Sequence, residues 1–482
     1  RKRRRQHRPA KDEQSKNDYS EVLSSMEIIR VIMPILLSIA EIVVESLGGE
    51  IDFVAFQEKL AKKLQEVGRA VTQAVLEGLE EQTRKDRKKR AQWQLCRRKD
   101  PKELLSRFGI IHYARSYYRN KETGKYAYLV DEQVGYSSHM RLDRPIKAKL
   151  VATAADVSYQ KSAESVAREC GESISKQSVL QALRKFECPA LVKQERKMSR
   201  VLYIEADEDH VASQSGLGME ARLVYVHEGW TGTKRRELKN PFYLSSVNED
   251  VHAFWERVWD EVDARYDLGK VKEVLVMGDG AAWIRGALEV FPGARFILDR
   301  FHLMKYVKKA VGSHQERSKK LLSALAEDNR AKVYELLSQE MEEATVQSRK
   351  ETIGVAWKYI DNQWNGIRQL YRETELRCSA EGHVSHVLSE RLSSRPMGWS
   401  QSGAKHMANV RVCQANGIDL VQEYLRQNQF KALPQLDIDK QILRVQRKKL
   451  QKVREVLGNI PVFKGAKSYL YEALQGLSGM LA

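Results

Sequence analysis

An α/β fold carrying a large helical insertion is predicted by three observations. First, the apolar segments VLYIEAD, ARLVYVHEG and NPFYLSSV follow one another from Val201 to Val247, with loops too short for crossover helices. They read as an antiparallel meander. Second, a helix around VHAFWERVWDEVDARY leads to the strand of VKEVLVMGDGAAWI, and another helix leads to ARFILDRFH. Three antiparallel strands followed by helix–strand–helix–strand is the order of a ribonuclease-H-like domain. Third, His302 to Thr374 contains no proline and reads as helix throughout.

The 482 residues suffice for two to four domains. A net charge of +18 favours a polyanionic partner, nucleic acid before an anionic membrane. Five cysteines, an odd number with no C-x-x-C spacing, argue against a zinc ribbon or a disulfide framework and fit a reducing cytoplasm. The most apolar stretch, IIRVIMPILLSIAEIVVESL, is interrupted by Arg30, Pro34, Glu41 and Glu45. It reads as a buried helix rather than a membrane span, which needs about 20 mostly apolar residues. No signal peptide is expected. Arg1 rather than Met opens the chain, so its true start is left open.

The basic run RKRRRQHRPAK reads as an arm on phosphates or a solvated tail. From Phe56 through Leu60, Leu64, Val67, Val71 and Val75 to Leu79, apolar residues recur at helical spacing, for a partner helix or for packing within the subunit. IIHYARSYYR and KYAYLVD, joined by NKETG, predict a β-hairpin with Tyr113, Arg115, Tyr117 and Arg119 on one face. That mixture suits nucleic acid, or simply a small sheet with amphipathic tyrosines. In SYQKSAESVARECGESISKQSVLQALRKF one helix ends near Gly171, and Ser175 caps a second carrying Val179, Leu180 and Leu183. This is helix–turn–helix spacing. Lys176, Gln177, Gln181, Arg184 and Lys185 fall on the exposed side of the second helix, and Arg and Gln are side chains that read guanine and adenine edges.

Two predicted strands end in acids: Glu205, Asp207, Glu208 and Asp209 on the first, Asp279 on the fourth. In the predicted fold these strands are parallel neighbours, so their carboxyl ends converge. Clustered carboxylates repel one another unless a cation lies between them, and Mg²⁺ takes a few carboxylates plus water and phosphate. Glu205 and Glu208 are expected to face the loops. A third carboxylate is sought in EGHVSHVLSERLSSRPMGWS, where Val384, Val387 and Leu388 define the buried face. Glu381 lies about 65° from its centre and Glu390 about 115°, which favours Glu381.

YIEADEDHVA, VMGDGAAWI, LDRFHLMKYV and EGHVSHVLSERLSSRPMGWS resemble, in order, the signature blocks of ISLre-type bacterial insertion-sequence transposases, long grouped as an uncharacterised protein family and similar to the Mutator-like DDE transposases. The resemblance covers nearly the whole chain. It implies a ribonuclease-H-like catalytic core, an all-helical insertion before the glutamate, and a triad of Asp207, Asp279 and Glu381 holding Mg²⁺, with Mn²⁺ able to substitute. Asp209 shares the face of Asp207 if the strand continues, and stays an alternative to it. Asp299 and His302 match the D-x-x-H signature, with a supporting role; His302 would orient a phosphate or base while Asp299 fixes its tautomer.

The expected organisation is a basic tail and helical region (1–97), a β-hairpin region (98–145), a helix–turn–helix DNA-binding region (146–195), the first part of the core (196–302), the all-helical insertion (303–378), the glutamate helix (379–415) and a C-terminal helical region (416–482). The function expected is a cytoplasmic, nucleoid-associated DNA transposase. It would bind double-stranded DNA at element ends and target, act as a homodimer or higher, and make no membrane contact. A nuclease that cleaves without joining, and an inactive DNA-binding regulator, are the alternatives.

Overall fold

The computed structural model describes residues 33–46, 52–88, 90–189, 196–232, 237–373 and 376–429. The basic run at 1–11 lies outside them. The chain divides into two units. One comprises residues 1–147, 164–174 and 428–482; the other comprises 148–163 and 175–427.

The second unit contains a five-stranded sheet. Its strands are β4 (Val201–Val211), β5 (Met219–His227), β8 (Phe242–Val247), β9 (Glu273–Gly278) and β10 (Arg295–Leu298). The order is β10-β9-β4-β5-β8, with β4, β5 and β8 antiparallel and β10, β9 and β4 parallel. A small ribbon, β6 (Trp230–Thr231) with β7 (Glu237–Leu238), follows β5. Period-two alternation splits the strands between two apolar layers. Leu202, Ile204, Ala206 and Val276 meet Phe254, Trp255, Val258 and Val262 of helix α7 (Val251–Arg265), together with Trp283, Ile284, Ala287 and Phe291. Leu275, Met277, Ile297 and Leu298 pack instead against α10 (Arg300–Val311), α11 (Gln315–Ala326), α12 (Arg330–Glu343), α13 (Gln347–Asn362) and α14 (Trp364–Arg372). The proline-free stretch is therefore five helices rather than one. Gly312, with φ 69°, closes the first of them.

In the first unit, residues 33–46 form α1, and α2 (Phe53–Lys85) is a single 33-residue helix. The expectation of a buried helix in the IIRVIMPILL region is corrected: within 33–46 only Ala40 and Ile42 are buried, and Leu37 and Val44 are exposed. No helix among the described residues is long and apolar enough to cross a membrane. Leu76 of α2 packs on Ile111, Tyr113 and Val130. None of the seven stripe residues from Phe56 to Leu79 is buried, and Leu64, Val71 and Val75 are exposed.

The predicted hairpin also differs. Strand β2 (Gly109–Asn120) pairs along its length with β1 (Trp93–Ser106), while the expected second strand contributes only β3 (Tyr126–Ala127) before turning into helix α3 (Leu129–Val134). β1 is heavily charged, carries Pro101 and has two register shifts, at Leu95/Arg97 and Arg97/Asp100. Those are marks of an edge strand, and they hide its alternation. The boundary expected at residue 97 falls inside it. Arg115 is not presented to solvent as expected. It is buried on Asp131, which also accepts from the Tyr113 hydroxyl (2.6 Å) and Lys102 Nζ (3.0 Å).

Helices α4 (Arg144–Asp156) and α5 (Tyr159–Cys170) follow, and Gly171 leaves α5 at φ 73°. In α6 (Lys176–Leu183) the Ser175 hydroxyl accepts from the Ser178 N–H at 3.3 Å. Cys188 and Cys413 lie side by side with Cα atoms 6.2 Å apart, a separation that a disulfide would permit. C-x-x-C spacing reports local metal or redox motifs, and these partners are 225 residues apart.

Candidate active site

Strand β4 runs unbroken to Val211, so Glu205, Asp207 and Asp209 alternate onto one face. Asp207 is 9% exposed, and its Oδ1 accepts from the Glu208 N–H at 3.0 Å. Burial pushes its carboxyl up to about 7; the Glu208 N–H bond and the His302 charge oppose this, while the charges of Glu208 and Asp279 add to it.

Asp279 stands just past β9. The parallel register pairs Glu205 with Met277, so Asp207 and Asp279 each lie two residues further along adjacent strands. Asp279 Oδ1 accepts from the Ala281 N–H at 2.7 Å. The flanking glycines have separate reasons. A Cβ on Gly278 would stand 2.6 Å from the Ala206 carbonyl oxygen, where the two strands close up. Gly280 has φ +88°, and a Cβ there would meet the Gln363 amide at 2.3 Å. Helix α13 and the residue after it clamp this turn: the Tyr359 hydroxyl donates to the Asp279 carbonyl at 2.5 Å, and Gln363 Nε2 to the Gly280 carbonyl at 2.9 Å.

Asp299 follows β10, its N–H bonded to the Gly278 carbonyl at 2.8 Å. One carboxylate oxygen caps α10 through the Phe301 N–H (3.1 Å), and the other lies 2.9 Å from His302 Nδ1. A carboxylate only accepts, so Nδ1 carries the proton and Nε2 is left for another partner. Burial lowers the His302 pKa, but Asp299, Asp279 and Asp207 together outweigh it and hold it above the usual histidine value.

The glutamate segment is α15 (Ala380–Val384), a π-helical turn (Ser385–Ser389) and α16 (Glu390–Leu392). Val384, Val387 and Leu388 are buried as expected, and Glu381 and Glu390 are both exposed. Glu390 pairs with Arg411 at 3.1 Å on α17 (Gln401–Ala415). The charges of Asp299, Asp279 and Asp207 all act on His302, and those of His302 and Asp279 act on Asp207, while Glu381 stands exposed on α15. No group of three or more His, Cys, Asp or Glu side chains among the described residues is arranged to hold a metal. Mg²⁺ is commonly held by one or two carboxylates with water and substrate phosphate, and Asp207 and Asp279 are the carboxylates here that could supply them.

The other acids of β4 complete the surroundings. Glu205, expected at a loop, is fully buried. It accepts from the Tyr225 hydroxyl (2.5 Å), from Ser379 through N–H and hydroxyl, and lies 3.0 Å from His227 Nε2. Burial alone would raise its pKa, but the His227 and Tyr225 bonds hold the carboxyl below the usual range. Glu208, also expected at a loop, is half-buried and accepts from Trp283 Nε1 at 2.7 Å. Asp209 accepts from the Ser393 hydroxyl at 3.0 Å. Ser379 and Ser393 bracket the glutamate segment, so it is tied at both ends to carboxylates flanking Asp207. No local pattern announces this. Elsewhere in the same unit, Lys176, Gln177, Gln181, Arg184 and Lys185 are all exposed.

A family model covers residues 49–429 of the chain, that of UPF0236, an uncharacterised protein family. The chain belongs to UPF0236. A UPF0236 protein of Caldanaerobacter subterraneus subsp. tengcongensis is 38% identical over 434 residues, spanning 88% of this chain and 91% of the relative; its name joins eleven locus designations of that genome. A second UPF0236 protein of the same organism, named for four loci, is 37% identical over 93% of this chain and 97% of its own length. A more distant UPF0236 protein of Streptococcus gallolyticus, described as lying in the vanSb 3′ region, is 24% identical over 66% of this chain and 74% of its own length.

Proposed function

We propose that this UPF0236 protein is a DNA transposase of a bacterial insertion sequence, with a ribonuclease-H-like catalytic domain, acting in the cytoplasm on the nucleoid. The observation that carries the reading is the pair Asp207 and Asp279, at matching positions on the adjacent parallel strands β4 and β9. The strand order β10-β9-β4-β5-β8, three strands antiparallel and two added parallel, agrees with it. So do the ISLre-like blocks in the sequence. A relative named for eleven loci of one genome is what a self-propagating gene would leave.

In the proposed reaction a water oxygen attacks phosphorus at the element end, the bond from that phosphorus to the element's 3′-oxygen breaks, the phosphate stays on the 5′ end of the flanking strand, and the leaving oxygen takes up a proton to become the element's 3′-hydroxyl while water gives one up. That hydroxyl then attacks a target phosphodiester, forming one P–O bond as another breaks. Mg²⁺, when bound, would activate the attacking oxygen and stabilise the leaving one. Asp207 and Asp279 would hold it, with Glu381 as the third carboxylate that the ISLre resemblance implies. His302, fixed through Nδ1 by Asp299, presents Nε2 to a phosphate. Lys176, Gln177, Gln181, Arg184 and Lys185 contact the element end. The unburied stripe on α2 joins two copies, as pairing of two ends requires.

The test is a labelled duplex of the element's end incubated with target DNA and Mg²⁺. Cleaved and joined products are expected from the wild type, and neither from Asp279→Asn, which still binds the duplex. Cleavage without joining would establish the nuclease instead, and activity retained by Asp279→Asn would remove the metal pair. Light scattering of the DNA-bound protein should give at least a dimer; a monomer with full joining activity would refute the pairing.

A further inference from the structure

The sheet of the first unit carries an aromatic cluster that the proposed chemistry does not use. Tyr117 of β2 stacks on Tyr126 of β3, with centroids 5.3 Å apart and planes 13° from parallel, and lies 4.8 Å from the ring of Tyr128. Each ring has its own cation. Arg97 lies 4.9 Å from the Tyr117 centroid, Arg115 3.6 Å from that of Tyr128, and Arg119 6.0 Å from that of Tyr126. These rings border a cavity of about 420 Å³, with Arg97 at its edge and Asp131 among its lining residues. That volume lies in the range of small-molecule sites.

Two features separate this cluster from ordinary packing. Its interior carboxylate is already engaged: Asp131 accepts from Tyr113, Lys102 and Arg115, and the Tyr128 hydroxyl donates to Asp100 at 3.0 Å. Its outer members are open. Tyr126 keeps 54% of its surface exposed, and the Arg97 side chain keeps 62% despite its pairing with Asp100. An exposed ring and a solvated guanidinium lining the same cavity offer a flat apolar surface and an anion contact to one ligand. That combination binds single-stranded nucleic acid, through base stacking and phosphate pairing. The net charge of +18 favours the same polyanion.

We propose that this pocket receives an unpaired base of a DNA strand, stacked on Tyr126 with its phosphate on Arg97. Stacking accepts every base, so no sequence preference is expected. The strand cutting proposed above would expose such bases, but the site stands whether or not that reaction occurs.

The experiment measures fluorescence anisotropy of a labelled twelve-residue oligothymidylate with the full chain, beside a blunt duplex of the same length. Tyr126→Ala should weaken oligothymidylate binding about tenfold. Tyr126→Phe, which keeps the ring, should stay within about twofold of wild type, and Arg97→Ala should fall with the alanine variant. Duplex binding should be unchanged in all three. Tyr126 is exposed, so the fold is expected to tolerate each variant, and equal melting temperatures verify it. Wild-type binding by Tyr126→Ala would overturn the proposal. So would an equal loss in Tyr126→Phe, an equal loss on duplex, or full competition by free thymidine monophosphate at the oligothymidylate's own concentration.

Discussion

Ser379 donates both its backbone N–H and its hydroxyl to the same carboxylate oxygen of Glu205, across 174 residues of sequence. Tyr225 donates to that oxygen as well, and His227 meets the other. A fully buried acid therefore fastens the start of the glutamate segment to the strand that carries Asp207. Glu205→Ala would leave these donors buried without an acceptor, at about 1–3 kcal/mol each. The expected loss of unfolding free energy in urea is about 3 kcal/mol or more, and Glu205→Gln, which keeps an acceptor oxygen, should lose clearly less. Equal losses would show that the acceptor is not what matters.

Gly280 is held at φ +88° with Gln363 packed where a side chain would project. Gly280→Ala is expected to cost about 1–2 kcal/mol from backbone conformation alone, and more from the contact with Gln363. Adding Gln363→Ala should recover the contact part and leave the conformational part. Thermal melts of the two variants check this; no recovery would mean the strain is wholly in the backbone.

Asp143 precedes α4 and accepts from the Ile146 N–H at 3.0 Å, while burial pushes its carboxyl up to about 6. A raised acid pKa means that the folded state holds the proton more tightly than the unfolded chain does. Stability from this group is therefore highest below the ordinary aspartate range, is lost as pH rises towards 6, and stays lost above it. Asp143→Asn keeps the cap without the charge. It should stabilise the protein at pH 7.5, by at most about 3 kcal/mol, and change little at pH 4. Denaturant midpoints at the two pH values measure this, and a gain confined to pH 4 would reverse the assignment.

Gln181 and Arg184 are exposed at the end of α6. If they read base edges, Gln181→Ala and Arg184→Ala should each weaken binding to the element's end by about 1–3 kcal/mol, with little change on random duplex. Competition binding separates the two, and equal losses on both would reduce these residues to phosphate contacts.

The strands of the second unit were legible because each is apolar, bounded by turn residues and of ordinary length. The acids at their ends could be placed together once the strand order was inferred. What escaped was what depends on distant partners. Glu205 looked like one more acid at a strand end, because Tyr225, His227 and Ser379 arrive from elsewhere in the chain. Arg115 looked free for phosphate until Asp131 was seen to hold it. Strand β1 was missed because its charges and Pro101 mask the alternation, and Cys188 gives no local hint of Cys413. The π-helical turn at Ser385–Ser389 lies beyond any count at 100° per residue, which is why projecting Glu381 and Glu390 from one ideal helix was too simple.

The span between Glu205 and Ser379 also has a meaning in time. At about 5–20 residues per second, a ribosome needs roughly 9–35 s to travel from one to the other. During that interval β4, β5 and β8 can pair in the nascent chain, but the buried carboxylate lacks the donors that Ser379 will bring. A polypeptide cut short before that point would carry both aspartates without the segment that Glu205 and Asp209 hold. Synthesis itself thus delays completion of this buried network until Ser379 has been made.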